Sequence, residues 1–292
     1  MRLLLPVLAG PALAGLVMTT PALAQHEHHE HHGPAAAAAA PVDPALAAVI
    51  ADASRNQDRA RDKWRHPAET LTFFGVTPTM KVGEYAPGGG WYSRILGMYL
   101  GPKGELVGLY RSPTSGTLDA AQQQKLRDQA AKFPSEAAGW SGQPADRFAG
   151  TTLSDALPSQ KGTYDRILIM RMLHNMQRGN YAAPELKAMG ELLKPGGMIG
   201  IEQHRAKPDA PSAYADGSKG YLKEADVIKF METNGFELVA KSEVNANPAD
   251  PANWPDGVWT LPPTLEKGEV DKARYQAIGE SDRMTLLFRK KG

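Results

Sequence analysis

Residues 81–100, KVGEYAPGGGWYSRILGMYL, place the tightest limit on what this chain can fold into. A short apolar run carrying Glu84 enters Pro87-Gly88-Gly89-Gly90 and leaves as a helical pattern, with Tyr92, Ile95, Leu96, Tyr99 and Leu100 on one side. Three successive glycines take every β-carbon out of the turn, so its backbone N–H groups can approach a ligand and a positive φ costs little. Strand, glycine turn and helix in that order make a nucleotide-type binding site when the strand belongs to a parallel sheet. The spacing predicts a strand over 80–85 and a helix over 91–100.

The remaining chain supplies such a sheet. After the turn Gly101-Pro102-Lys103-Gly104, residues 105–110 read as the next strand; a helix over 118–133 then leads to a weak strand around 147–152. Residues 164–170, YDRILIM, are almost continuously apolar, as expected of a strand covered on both faces. Pro184 suits the first turn of a helix carrying Leu186, Met189, Leu192 and Leu193, which stops at Lys194-Pro195-Gly196-Gly197 before a strand over 198–202. A helix over 222–234 turns Val227, Ile228, Phe230 and Met231 inward, with Gly235 as its C-cap residue. Two final strand-like runs, 236–242 and 284–289, flank a Pro-rich insertion, 245–282, that contains Trp254 and Trp259. That insertion reads either as a lid over a site or as aromatic cover for a sheet edge. Strands alternating with helices imply an α/β fold, a mostly parallel sheet with helices on both faces. The last two strands, with no helix expected between them, imply an antiparallel pair closing that sheet.

Residues 1–24 combine Arg2, an apolar run broken by Pro6, Gly10, Pro11 and Gly15, and the ending Ala22-Leu23-Ala24. They read as a secretory signal cleaved after Ala24, which implies a periplasmic or secreted protein. A membrane anchor would need about 20 uninterrupted apolar residues. Residues 25–42 form a linker of His26, His28, His29, His31 and His32, then alanines. Loose metal capture is one reading of these imidazoles and a solvated tether the preferred one, since no spacing sets a coordination geometry; no metal site is assigned. The domain is expected over 43–292, beginning with a helix whose Leu46, Val49 and Ile50 share a face. The charged stretch Arg55 to Arg65 follows, read as a solvated brace in preference to arginines closing over an anionic ligand, and Pro67 either stops that helix or starts the next turn. The net charge is +1 with no basic stripe, which disfavours nucleic acid and, once the signal is removed, a membrane surface as partners. The chain has no cysteine, which excludes thiol chemistry.

An acidic strand end, a glycine turn, LKPGG before a strand and a terminal antiparallel pair together resemble the class I S-adenosylmethionine-dependent methyltransferases. The likeness is greatest to a bacterial group of predicted, often exported, members, through Arg65-His66-Pro67, Phe73-Phe74-Gly75, Pro87-Gly88-Gly89-Gly90-Trp91-Tyr92, Leu173-His174-Asn175 and Ser281-Asp282-Arg283. The resemblance covers about residues 45–290 and implies a Rossmann-like, seven-stranded sheet with a C-terminal antiparallel hairpin. It further implies S-adenosylmethionine as cofactor and a small molecule as methyl acceptor.

The family's first loop alternates glycines after an acid; here it stands as Glu84-Tyr85-Ala86-Pro87-Gly88-Gly89-Gly90, with Ala86 in place of the first glycine. Through the resemblance, Glu84 would hold the methionine ammonium, while Ala86, Gly88, Gly89 and Gly90 let the backbone pass the cofactor. The family's second strand ends in an acid that takes both ribose hydroxyls, whereas this one ends in Tyr110, which is no bidentate acceptor. Asp155 stands either where the family contacts adenine or simply as a turn residue. His174, after the fourth strand, reads as a substrate contact or general base, or as a histidine bonded to backbone. Glu202 and His204 open on the same rim as secondary catalytic candidates. A non-catalytic binding protein that kept the fold is the alternative, since Tyr110 stands at the ribose position. A nicotinamide oxidoreductase is weaker, because Tyr92 stands where its glycine would be.

Overall fold

A computed structural model describes residues 40–292. The expected signal over 1–24 and nearly all of the histidine-rich linker lie outside the described residues. Pro44–Ala51 forms α1, capped by the Asp43 carboxylate. The charged stretch does not continue it: two 3-10 turns lead to the short α2, Asp62–Arg65, and Pro67 opens α3, Pro67–Phe73. The expected solvated brace is therefore corrected. Arg55 is fully buried on Asp62, in a bidentate pair, and Arg65 nearly so on Glu280, through Nε, because these charged carboxylate partners offset the cost of removing the guanidiniums from water.

The sheet contains β1 Lys81–Tyr85, β2 Glu105–Tyr110, β3 Phe148–Thr152, β4 Tyr164–Met170, β5 Leu193–His204, β6 Phe236–Ser242 and β7 Arg283–Lys290. Their order is β3-β2-β1-β4-β5-β7-β6. β3-β2-β1-β4-β5 are mutually parallel, and β7 runs antiparallel between β5 and β6. The period-two alternation sorts the side chains. Tyr85, Leu109, Ile167, Ile169, Ile199 and Ile201 face one core, shared with α6 (Leu173–Arg178), α7 (Ala182–Leu192) and α8 (Glu224–Thr233). Val82, Leu106, Tyr110, Leu168 and Met170 face the other, shared with α1, α3, α4 (Trp91–Tyr99) and α5 (Ala120–Ser141).

β5 begins at Leu193, which pairs with Tyr164, ahead of the start expected at residue 198, and two further expectations change for physical reasons. The helix expected to end at residue 133 runs on as α5 through Pro134 to Ser141. Phe133 and Ala137 are fully buried on one face, and that packing outweighs the cost of an interior proline. The Ala130 carbonyl, whose helical donor Pro134 removes, lies against Gly150, where a β-carbon would sit 2.0 Å from that oxygen. The final two strands pair antiparallel as expected, yet the insertion between them carries its own helix, α9, Lys272–Ile278. It builds a small separate cluster of Trp254, Val258, Leu261 and Tyr275. Among the described residues, no helix is long and apolar enough to cross a membrane.

Candidate functional site

The carboxyl ends of β1, β4 and β5 open onto one rim. At the end of β1, Glu84 faces α4 by the strand alternation, and Ser93, one turn into α4, donates to its Oε2 at 2.5 Å. Glu84 is only 3% exposed, so burial pushes its pKa up to about 7 against the pull of Ser93, Arg171 and Arg94. The turn above it departs from ordinary backbone at three places. Gly88 and Gly90 have φ of 61° and 73°, and Ala86, standing for the family's first glycine, is held at 50°. A β-carbon on Gly89 would meet nothing within 4 Å, whereas one on Gly90 would strike the Trp140 ring at 2.3 Å. The turn is open toward a ligand at Gly88 and Gly89 and walled by Trp140 at Gly90.

A cavity of about 320 Å³ lies there, lined by Glu84, Ala86, Gly88, Gly89, Arg61, Arg65, Arg94, Arg171, Met170 and Met172 among others. Three arginines of this lining come from segments that precede β1 or follow β4: Arg61 and Arg65 belong to the stretch for which closing over an anionic ligand is the less favoured expectation, and Arg171 is assigned no role from sequence. Arg171 is the tightest of them. Its φ is 56°, unusual for a side chain of its size. It is held there by Glu202, whose carbonyl accepts its N–H at 2.6 Å and whose carboxylate accepts its guanidinium at 2.8 Å.

Glu202, a secondary catalytic candidate from sequence, is engaged by two arginines. It is fully buried, with Arg171 on Oε2 and Arg283 3.0 Å from Oε1, and it lines neither cavity of this rim. Burial alone would raise its pKa, but Arg171, Arg283 and Arg65 outweigh burial and hold it below the ordinary value. Its contacts hold Arg171 in place. A second carboxylate, Glu280, completes the cluster: it accepts from Arg61 at 2.9 Å, from Arg65 at 2.8 Å and from Arg283 at 2.9 Å. Burial is again overcome, chiefly by Arg65 and Arg283, which hold this pKa at about 2. Arg283 also donates to the Trp64 carbonyl, tying the last strand to the segment before β1.

Across Arg65 and Arg171 a second cavity of about 220 Å³ opens, lined by His174, His204, Trp259, Pro262 and Pro263 among others. His174 is 4% exposed; its backbone N–H and Nδ1 both lie 3.3 Å from the Gln203 side-chain carbonyl. His204 Nδ1 is 2.6 Å from the Ser281 hydroxyl, and the two imidazole centroids are 5.5 Å apart. Burial, with the neighbouring arginines, lowers His174 to about 4 and His204 well below its ordinary value, so both rings are neutral at neutral pH. Their Nε2 atoms have no hydrogen-bond partner among the described residues.

Two expected cofactor contacts stand apart. Tyr110 faces the same side of the sheet as Glu84 but packs edge-on against Phe133, 6.4 Å between centroids, and lines neither cavity. Phe133 in turn packs on Trp140, so an aromatic trio fills the space beside Gly90. Asp155 is paired with Arg127 of α5 at 3.0 Å, both about 41% exposed, outside either cavity. Its neighbours Ser154 and Ala156 line a separate groove of about 540 Å³ with Ser112, Ser115 and Pro184. There the buried Glu185 of α7 receives the Ser112 N–H, the Ser115 hydroxyl and the Tyr85 hydroxyl.

The residues therefore fit an amino-acid-bearing cofactor at one end and not at the other. A buried acid and several arginines face the cavity beneath an open glycine turn, while the place of a ribose-binding acid is taken by aromatic rings.

No protein-family model matches the chain, and no curated protein does. Solved structures match by shape. A SAM-dependent methyltransferase from Aquifex aeolicus aligns over 84% of this chain and 98% of its own, at 14% identity and a TM-score of 0.50. The cyclase SpnF aligns over 78% and 81%, at 14% and 0.48. The 1,6-didemethyltoxoflavin-N1-methyltransferase of Burkholderia thailandensis, solved with its substrate and S-adenosylhomocysteine, aligns over 87% and 93%, at 14% and 0.41. At such identities the likeness to the first of these establishes the Rossmann-like methyltransferase fold and nothing finer.

Proposed function

We propose that this protein binds S-adenosylmethionine and transfers its methyl group to a small molecule. One observation carries the reading: Glu84, buried and facing the cavity beneath the open Gly88-Gly89 turn, stands at the carboxyl end of β1 in a sheet of order β3-β2-β1-β4-β5-β7-β6. Bound there, the cofactor would supply an already activated methyl on a sulfonium. Glu84 would take the methionyl ammonium, and Arg65, with Arg61 beside it, the methionyl carboxylate. The chain's remaining work is to exclude water and hold the acceptor in line, which needs positioned side chains and no compact catalytic signature. His174 and His204, neutral beside the adjoining cavity, are the groups available to accept a proton from the acceptor.

The aromatic filling beside Gly90 favours a second reading, a binding protein that retained the fold and lost turnover. Calorimetric titration with S-adenosylhomocysteine and S-adenosylmethionine decides first: 1:1 binding is expected, and binding of neither overturns the cofactor assignment. Binding of both, with no methylated product from any acceptor supplied, would favour the second reading. The signal-like residues 1–24 support an exported protein; fractionation of expressing cells tests it, and full-length chain in the cytoplasm would refute it.

A further inference from the structure

The second cavity has a chemistry of its own, and the methyl-transfer reading only decides whether its ligand is called an acceptor. Arg65 is 3% exposed, and its bonds to Glu280 are all made through Nε. Its two terminal nitrogens have no partner among the described residues, and the residue lines both cavities. Arg171 likewise commits one terminal nitrogen to Glu202 and leaves the other without a partner among those residues. Donors of a nearly buried guanidinium that open onto a cavity are available to an anion seated there. In this cluster four guanidiniums, of Arg61, Arg65, Arg171 and Arg283, face two carboxylates, of Glu202 and Glu280, an excess of two positive charges, of which that of Arg61, its side chain 32% exposed, also meets solvent. A methionyl carboxylate in the neighbouring cavity would neutralise one; the other remains for a monoanion on the far side.

The opposite wall is apolar and aromatic. Trp259 meets His174 edge-on at 6.2 Å between centroids, and Val258, Pro262 and Pro263 complete that side. The two imidazoles present acceptor nitrogens between this wall and the arginines. Size then narrows the ligand. An apolar cavity of about 150 Å³ is enough for benzene, so about 220 Å³ is enough for one substituted ring.

We propose that the cavity bounded by Arg65, Arg171, His174, His204 and Trp259 is a binding site for a monocyclic aromatic carboxylate. Its carboxylate lies on Arg65 and Arg171, its ring against Trp259, and an O–H or N–H substituent donates to Nε2 of an imidazole. The anion also acts on those imidazoles. Arg171 is among the charges that depress both, so an anion seated on it makes each a better proton acceptor. Ligand occupancy and base competence are thereby coupled.

The test uses the full chain and 4-hydroxybenzoate as probe, with 4-hydroxybenzyl alcohol as its neutral counterpart, by calorimetry and tryptophan fluorescence, with and without S-adenosylhomocysteine. The carboxylate is expected to bind at least tenfold tighter than the alcohol and to be weakened at least tenfold by Arg171→Gln. Trp259→Ala should weaken it about fivefold while leaving S-adenosylhomocysteine affinity within twofold. Equal affinity for carboxylate and alcohol, or binding of S-adenosylhomocysteine with no binding of the carboxylate, overturns the inference; the wild-type comparison decides this even if a variant fails to fold. Arg171-dependent binding of the carboxylate without any binding of S-adenosylhomocysteine supports the inference and sinks the cofactor reading instead.

Discussion

Two buried carboxylates anchor the 245–282 insertion to the body of the protein, and they are filled in opposite ways. Asp250 accepts the Tyr221 hydroxyl, the Trp254 indole N–H and the backbone N–H groups of Ala252 and Asp282, each at 2.9 Å. Every donor is neutral and has nothing left to offer. Glu280 instead gathers Arg61, Arg65 and Arg283, whose forked side chains carry more N–H groups than one carboxylate can take. The first arrangement is closed and explains only the fold. The second leaves donors facing cavities and is the signature of a site.

Breaking each hub separates the two kinds of burial, and the largest effect is expected at the charged one. Glu280→Gln leaves the buried guanidiniums of Arg65 and Arg283, and the partly exposed one of Arg61, short of a counter-charge and should cost about 4 kcal/mol of stability. It should also weaken S-adenosylhomocysteine at least tenfold, because Arg61 and Arg65 lose their placement; denaturant unfolding and calorimetry read the two effects. Asp250→Ala should cost about 3 kcal/mol through its orphaned donors, yet leave ligand affinity in the folded protein within twofold. A large affinity loss there would erase the distinction.

Glu84 lies between the two cases, with one oxygen bonded to Ser93 and a cavity beside it. Its folded pKa of about 7 stands above the ordinary 4.5, so the folded state prefers the protonated form. That contribution is fully present below pH 4.5 and is lost as pH rises through 7. Glu84→Gln should therefore stabilise the protein on the order of 3 kcal/mol at pH 8 and hardly at all at pH 4, in thermal melts across that range. A ligand ammonium requires the ionised carboxylate, so S-adenosylhomocysteine affinity should rise with pH between about 5 and 7 in the wild type and be flat in the variant. The smallest effect is expected beside it. Ala86→Gly relieves a φ of 50° and should gain about 0.5 kcal/mol, with ligand affinity unchanged, touching neither hub.

Much of the fold was legible because its signals are local. YDRILIM is a strand wherever it occurs in such a chain, and Tyr92, Ile95, Leu96 and Tyr99 mark one helix face by spacing alone. Where local rules failed, packing had overruled them: Pro134 reads as a stop, and Phe133 and Ala137 carry α5 past it. The same limit applies to the site. Glu84 and the glycine turn are contiguous and could be read directly, and the Leu173-His174-Asn175 and Glu202-Gln203-His204 strand ends were found by position. Their roles could not be read, since Glu202 looks like a base until Arg171 and Arg283 are seen on it.

The sequence by itself determined the alternation of strands and helices, the glycine turn and the absence of thiols, each a property of neighbouring residues. Only the tertiary structure decided that the charged stretch before β1 is part of the site. Arg65 and Glu280 are 215 residues apart, and a guanidinium reads as a solvated surface charge until the fold removes its water and gathers fewer carboxylates than guanidiniums around it.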